Sequence, residues 1–356
     1  MSLLIGRLIL GLGVGIEMIV IPLYLSESMP LHLRGRSITL FQLFLTIGIL
    51  VAFYINYLFV NTGNWRGMFM CAFVPGILLL IGACFIAESP RWLYLRNRKE
   101  KAKMILGKIC DASEAKKTFD EMHTLLDASA NTHHSYPILK WKIYHVIPFL
   151  IALAIACLNQ LTGINSVLQY GAVILENAGI NSHITSILGT VGIGFINMCF
   201  TVVALFLVDT VGRKPLVIIG TAGVSLSLIL MGLVSFFMPH TLVSGYLILA
   251  GLLFYIAFFA IGPGVVVWLA ISELLPTQIR SKGMAICLFA NNVVSTLLAF
   301  LFLHLVHLVN YSGVFFFCGI CTVLYFIIAL RVFPETKDET LEDIEQGFRK
   351  QSESTL

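Results

Sequence analysis

Nine long apolar runs separated by short polar stretches make up most of the chain, at about 3–25, 38–59, 66–87, 144–174, 184–208, 215–237, 246–271, 283–308 and 313–333. Each can cross a bilayer as a helix, which takes about 20 mostly apolar residues. The runs are apolar all round instead of alternating, which excludes the strands of a transmembrane barrel. The pattern predicts an all-α polytopic membrane protein. Only 89–142 is a sizeable polar stretch. Within it Arg96–Cys110 and Ala112–Ala128 have helical periodicity, and Asp127–Pro137 reads as a linker. The expected layout is three spans of a partial bundle in 1–88, a cytoplasmic helical linker in 89–142, a six-span bundle in 143–334 and a tail in 335–356.

Composition agrees with this pattern. Hydrophobic residues make up 58% of the chain, charged residues 12%, and the mean hydropathy is +0.91. A soluble domain carries about 25% charged residues. The eight cysteines form neither a metal spacing nor a disulfide framework. His123, His133 and His134 lack Cys or acidic partners at ligand spacing, so they read as surface residues and no metal or other cofactor is expected. The spans hold no paired carboxylates and no nucleophile–base set, which argues against an enzyme. The net charge of +4 matters less than its placement. Lys and Arg collect in alternate loops: Arg34 and Arg36, the 91–142 stretch, Arg213 and Lys214, Arg280 and Lys282, and the tail from Arg331. By the positive-inside rule these loops and the C-terminus are cytoplasmic.

Polar residues inside the spans are the candidate chemistry. Asn159-Gln160-Leu161-Thr162-Gly163-Ile164-Asn165 lies in the fourth run. On an ideal helix Gln160 and Asn165 sit about 140° apart. Gly163 between them can loosen the helix so that both reach one cavity, and broken helices at mid-membrane are a recurring way to build a binding site. The alternative is that these amides only join neighbouring helices. Glu17 sits near the middle of the first run, where an acid costs about 2.5–3.5 kcal/mol on insertion scales. It suits a proton or hydroxyl site, but an acid hydrogen-bonded to a neighbouring helix is the favoured reading. Arg7 lies about 15 Å away along the same helix, too far for a direct pair. Gly262-Pro263-Gly264 should break the seventh run, with Trp268 one turn on as a gate or stacking face. Gln42, Asn197 and the pair Asn291-Asn292 are further amides within spans.

The chain echoes itself. Glu27, Pro30 and Arg34 recur as Glu273, Pro276 and Arg280, offset by 246 residues, and Glu88-Ser89-Pro90-Arg91 is echoed by Pro334-Glu335-Thr336-Lys337, with Glu88 and Glu335 offset by 247. Two echoes at nearly one offset indicate two parallel halves. Three runs precede the motif in the second half without a counterpart in the first. Twelve spans would complete the pattern, so the chain is read as nine of twelve, truncated at the N-terminus or begun at an internal Met. Glu27 with Arg34 and Glu273 with Arg280 are expected to latch the cytoplasmic face, ordinary helix-end anchoring being the alternative. Asp209-Thr210-Val211-Gly212-Arg213-Lys214 is a tight acidic–basic turn suited to locking helices at the membrane surface.

In sequence order, these pieces resemble the sugar-porter branch of the major facilitator superfamily. The matches are Gly6-Arg7, Pro22-x-Tyr24-x-x-Glu27-x-x-Pro30-x-x-x-Arg34-Gly35, Gln42, Glu88-Ser89-Pro90-Arg91, Gln160 to Asn165, Asp209-x-x-Gly212-Arg213-Lys214, Gly262-Pro263-Gly264 with Trp268, Glu273 with Arg280, and Pro334 to Lys337. The resemblance implies a major facilitator fold of two six-helix bundles, and sugar uptake by facilitated diffusion or proton symport. It implies that Gln42, Gln160, Asn165, Asn197, Trp268 and Asn291 line the sugar site, and that Glu27/Arg34, Asp209/Arg213 and Glu273/Arg280 hold the cytoplasmic face. Arg7 and Glu17 are the candidate coupling groups. Expected partners are a hexose- or pentose-like sugar, a proton and the lipid bilayer of a plasma or inner membrane, with the chain a monomer and no nucleic acid bound. The alternatives are a cyclitol, polyol or hydroxy acid carried on the same scaffold, and an inactive truncated fragment. Asn159, Gln169, Ala260 and Asn292 depart from the residues usual at these family positions.

Overall fold

In the computed structural model of the chain, residues 2–29, 31–109, 111, 113, 115, 116, 119, 143–180, 182–239, 241–275 and 279–337 are described, and helices without any strand account for nearly all of them. The first part holds α1 (Ser2–Ser28), α2 (Leu31–Phe59), α3 (Trp65–Cys71) and α4 (Phe73–Ala83). Two short polar helices follow, α5 (Pro90–Leu95) and α6 (Lys99–Ile109). The second part holds α7 (Ile143–Leu161), α8 (Ile164–Ala178), α9 (His183–Leu207), α10 (Arg213–Phe237), α11 (Leu242–Ile261), α12 (Pro263–Glu273) and α13 (Arg280–Arg331). Taken across their breaks, eight helices among the described residues are long and apolar enough to cross a membrane, and one of them, Lys282–Arg331, runs for 50 residues.

The breaks have local causes. Gly163 takes φ +86°, a left-handed conformation that costs glycine nothing, and it separates α7 from α8. Pro263 has no N–H and its ring clashes with the carbonyl four residues back, so α11 stops at Ile261 and α12 restarts at Pro263. Pro75 bears on Cys71 in the same way. The third run, expected as one span over 66–87, is one candidate span, Trp65–Ala83, interrupted at Ala72 and ending four residues early. The turn expected near 309–312 is a kink at Asn310 (φ 59°, ψ 175°) inside α13, a position where Asn tolerates positive φ better than most residues. The linker Asp127–Pro137, the histidines at 123, 133 and 134, and the tail beyond 337 lie outside the described residues.

Two apolar clusters hold the second part together. One joins α7, α12 and α13 near the charged loops, through residues such as Ile155, Val266, Leu288 and Tyr325, and it takes in Ile38 of α2. The other joins α8, α9, α10, α11 and α13 in the opposite half, around Val224, Leu252, Tyr255 and Phe315. α2 packs along α9, where Gly194 meets Leu50 and Phe53. α1 reaches the first cluster through Ile19 and Leu23.

Candidate functional site

The break at Gly163 brings Gln160 and Asn165 together. The Thr162 carbonyl beside the break accepts from the buried Tyr255 hydroxyl at 3.1 Å, so the interrupted backbone is re-satisfied from α11. Gln160 ends α7 and Asn165 opens α8, and Asn165 Nδ2 donates to Gln160 Oε1 at 2.8 Å. Gln160 Nε2 donates to Asn291 Oδ1 at 3.1 Å, and Asn291 Nδ2 is spent on the Ala156 carbonyl at 2.9 Å. Asn165 Nδ2 also reaches Ser295 Oγ at 2.7 Å. The chain of amides therefore fixes α7, α8 and α13 around one point. Next to it Asn159 Oδ1 is buried with no hydrogen-bond partner among the described residues.

A second pair crosses between the two parts of the chain. Trp268 Nε1 donates to Gln42 Oε1 at 2.9 Å, and Phe41 meets the Trp268 ring edge-on at 5.9 Å. Trp268 is thus half-buried, packed against α2. Asn197 is buried on α9, one turn from the Gly194 contact with α2, and is not part of the amide chain. Beyond these residues lies an open cleft of about 710 Å³ between α2, α8 and α13, walled by Asn165, Gln169, Tyr170, Ser295 and Thr296 on one side and by Ile49, Ala52 and Phe53 on the other.

At the opposite end charged side chains meet. Arg36 Nε meets Asp209 Oδ2 at 3.0 Å, joining α2 to the turn after α9. Arg213 lies 3.7 Å from Asp209 Oδ1 and 3.4 Å from Glu273 Oε1, so one guanidinium links two carboxylates. Gly35 makes this approach possible, since a Cβ there would stand 2.7 Å from Asp209 Oδ1 and 2.8 Å from Arg213 Nη2. Glu335 accepts backbone N–H groups of Arg213, Lys214, Thr336 and Lys337 at 2.9 to 3.1 Å, an anion at the N-terminus of α10. Thr336 Oγ1 donates to Glu273 Oε2 at 2.6 Å. Arg280 Nε donates to the Leu275 carbonyl at 3.2 Å. The side chains of Glu27 and Arg34 lie outside the described residues.

The structure thus gathers Gln160, Asn165 and Asn291 at one point, Gln42 with Trp268 at a second, and Asp209, Arg213 and Glu273 at the charged end. Arg7 and Glu17 are not drawn into any of these. The Arg7 guanidinium lies 5.7 Å from the Phe69 ring centre. Glu17 lies about 200° around α1 from Ile19, whose face meets the second part. Sequence reasoning missed Arg36, Glu335 and Thr336 as parts of the charged cluster. The repeated Glu-Pro-Arg and Pro-Glu motifs were the available signal, but no spacing says which acid meets which base.

Comparison with known proteins gives one answer. The model of the "Sugar (and other) transporter" family matches residues 1–348. The chain is 35% identical over 350 residues to the glucose transporter GlcP of Staphylococcus epidermidis, covering 98% of this chain and 77% of that protein. It is 32% identical over 349 residues to the galactose-proton symporter of Escherichia coli, covering 98% and 75%. Among solved structures, the proton:xylose symporter XylE bound to 6-bromo-6-deoxy-D-glucose superposes with a TM-score of 0.82 at 31% identity, over 95% of this chain and 72% of that one. Against the inward-open form of XylE the TM-score is 0.66. The major facilitator architecture, the apolar helices and the end-to-end match place the chain in the sugar transporter family of integral, multi-pass membrane proteins.

Proposed function

We propose that the chain carries a monosaccharide-sized, polyhydroxylated solute across the membrane by alternating access, with its charged end and C-terminus in the cytoplasm. The amide chain Gln160–Asn291 and Gln160–Asn165–Ser295 at the foot of an open cleft carries this reading. Amides both donate and accept, as a ring of hydroxyls requires. The glucose, galactose and xylose named for its relatives are solutes of that class. In the described state the cleft is open and the charged end is shut, which is the outward-facing half of the cycle. The better superposition on ligand-bound XylE than on its inward-open form supports that assignment. Substrate closes the cleft, and release to the cytoplasm requires Arg36–Asp209 to part.

The test is counterflow of labelled glucose, galactose, xylose and myo-inositol into proteoliposomes holding the full chain. Exchange of at least one aldose, competed by its unlabelled form, is expected. Exchange of myo-inositol with no aldose carried overturns the sugar assignment, and no exchange of any of the four overturns the transport assignment. Imposing a proton gradient in the same vesicles separates symport, which accumulates sugar, from facilitated diffusion, which only equilibrates it.

A further inference from the structure

Most polar groups around the cleft are already committed. Tyr170 donates its hydroxyl to the Ala299 carbonyl at 3.2 Å and stacks on Phe302 with ring centres 5.1 Å apart. Asn165 spends Nδ2 on Gln160 and Ser295. Its Oδ1 makes no hydrogen bond among the described residues, so Asn165 offers a ligand one acceptor. Gln169 differs from both. It lines the same cleft, is exposed there, and makes no hydrogen bond among the described residues, leaving both donors and its acceptor unspent. It follows Asn165 by four residues on α8, so the two share a face about 6 Å apart along the axis. Across from them, α2 presents Ile49, Ala52 and Phe53, which offer no hydrogen bond.

We infer that Gln169 is a specificity-determining residue that holds a second hydroxyl of the solute, about 6 Å from the one that donates to Asn165 Oδ1. This rests on the sugar reading above and names the feature of the sugar that is read. A pyranose has hydroxyls on opposite edges of the ring at that separation, and its apolar face would lie against α2. The pair selects solutes carrying both hydroxyls over analogues missing the outer one. A site built to bond a hydroxyl discriminates strongly against a ligand lacking it, because its polar group is then left unpaired.

The experiment measures counterflow affinity of the parent sugar and its singly deoxygenated analogues, for the full-length wild type, Gln169→Leu and Gln169→Asn. For wild type, one analogue other than the one that disturbs Asn165 should bind about tenfold more weakly than the parent. In Gln169→Leu the parent should weaken by about the same factor, and that analogue should show no further loss. Gln169→Asn, which keeps the amide but shortens it, should recover part of the discrimination. Unchanged parent affinity in Gln169→Leu, or an equal loss for every analogue, overturns the assignment while wild-type sugar exchange stands. Absence of sugar exchange in wild type sinks the sugar reading and this inference with it. If Gln169→Leu is not recovered folded, Gln169→Asn decides: discrimination among the analogues identical to wild type overturns the assignment.

Discussion

The two parts of the chain carry the same motifs at an offset of 246 to 247 residues, yet they are packed very differently. The most apolar stretches of α1, α2 and α3–α4 bury 6%, 22% and 0% of their residues, against 33% to 72% for the spans of the second part. Glu335 is gripped by four backbone N–H groups where α10 begins, whereas its echo Glu88 is exposed and meets Lys101 Nζ at 2.9 Å. The difference follows from what each acid has to hold. Glu335 has the turn before α10, with its orphan helix-terminal donors. Glu88 instead meets a cation of its own neighbourhood, Lys101 of α6. A motif alone therefore specifies no contact; it needs the helix end it caps. The first part meets the second through single reaching residues, Gln42 and Arg36, while the second part assembles the amide chain by itself.

The largest effect should come from cutting that chain. Gln160→Ala leaves the buried Asn291 Oδ1 without its donor and Asn165 with Ser295 alone, and a buried unsatisfied group costs about 1–3 kcal/mol. Counterflow affinity for the transported sugar should fall by about 10- to 100-fold. Gln42→Ala, which loses one bond to Trp268, should weaken binding less; an equal effect would mean that the two parts share the site evenly. Next comes Gly35→Ala. Its Cβ would meet Asp209 Oδ1 and Arg213 Nη2 at under 3 Å, so these side-chain ends must shift to admit it. The cross-part contact should open. A thiol-reactive probe at a cysteine introduced near Arg36 should label faster in Gly35→Ala than in the parent; unchanged labelling would mean that Arg36–Asp209 does not close that end.

Much of this was legible from the residues. The apolar runs predict the spans, and Gly163 and Gly262-Pro263-Gly264 predict the two breaks, because each is a backbone rule that acts locally. The meeting of Gln160 with Asn165 was legible for the same reason, since the break lies between them. Gln42 with Trp268 was not legible from the residues alone. Their bond spans 226 positions and depends on how α2 docks against α12. Nor does spacing show that Arg213 reaches Glu273, because seven residues, read as two helical turns, fit a local pair with Arg280 equally well. Glu17 was legible as an oddity, but its depth does not say which face of α1 it occupies; helical phase does.

The smaller effects return to the twin acids. Glu335→Ala removes the anion at the start of α10 and should cost about 0.5–2 kcal/mol, as lost helix caps do. It should lower the melting temperature of the detergent-solubilised protein, whereas Glu88→Ala should leave it unchanged. Equal shifts would erase the distinction between the two halves. Glu88 should instead declare itself in acid. The hydrogen bond from Lys101 holds its carboxyl below the ordinary value of 4.5, against the opposing push of desolvation, with the charges of Lys101 and Arg98 adding to the lowering. A carboxylate whose value is lowered on folding contributes above its unfolded value and loses that contribution as pH falls through the folded one. The link from the stretch before α5 to α6 should therefore persist from neutral pH down to about 5 and fade below 4.5. Hydrogen exchange in Lys99–Ile109, corrected for intrinsic rates, should rise across that window in wild type. In Glu88→Gln, which has no carboxyl to protonate, it should be flat; a rise of the same size there would assign the acid transition to some other group.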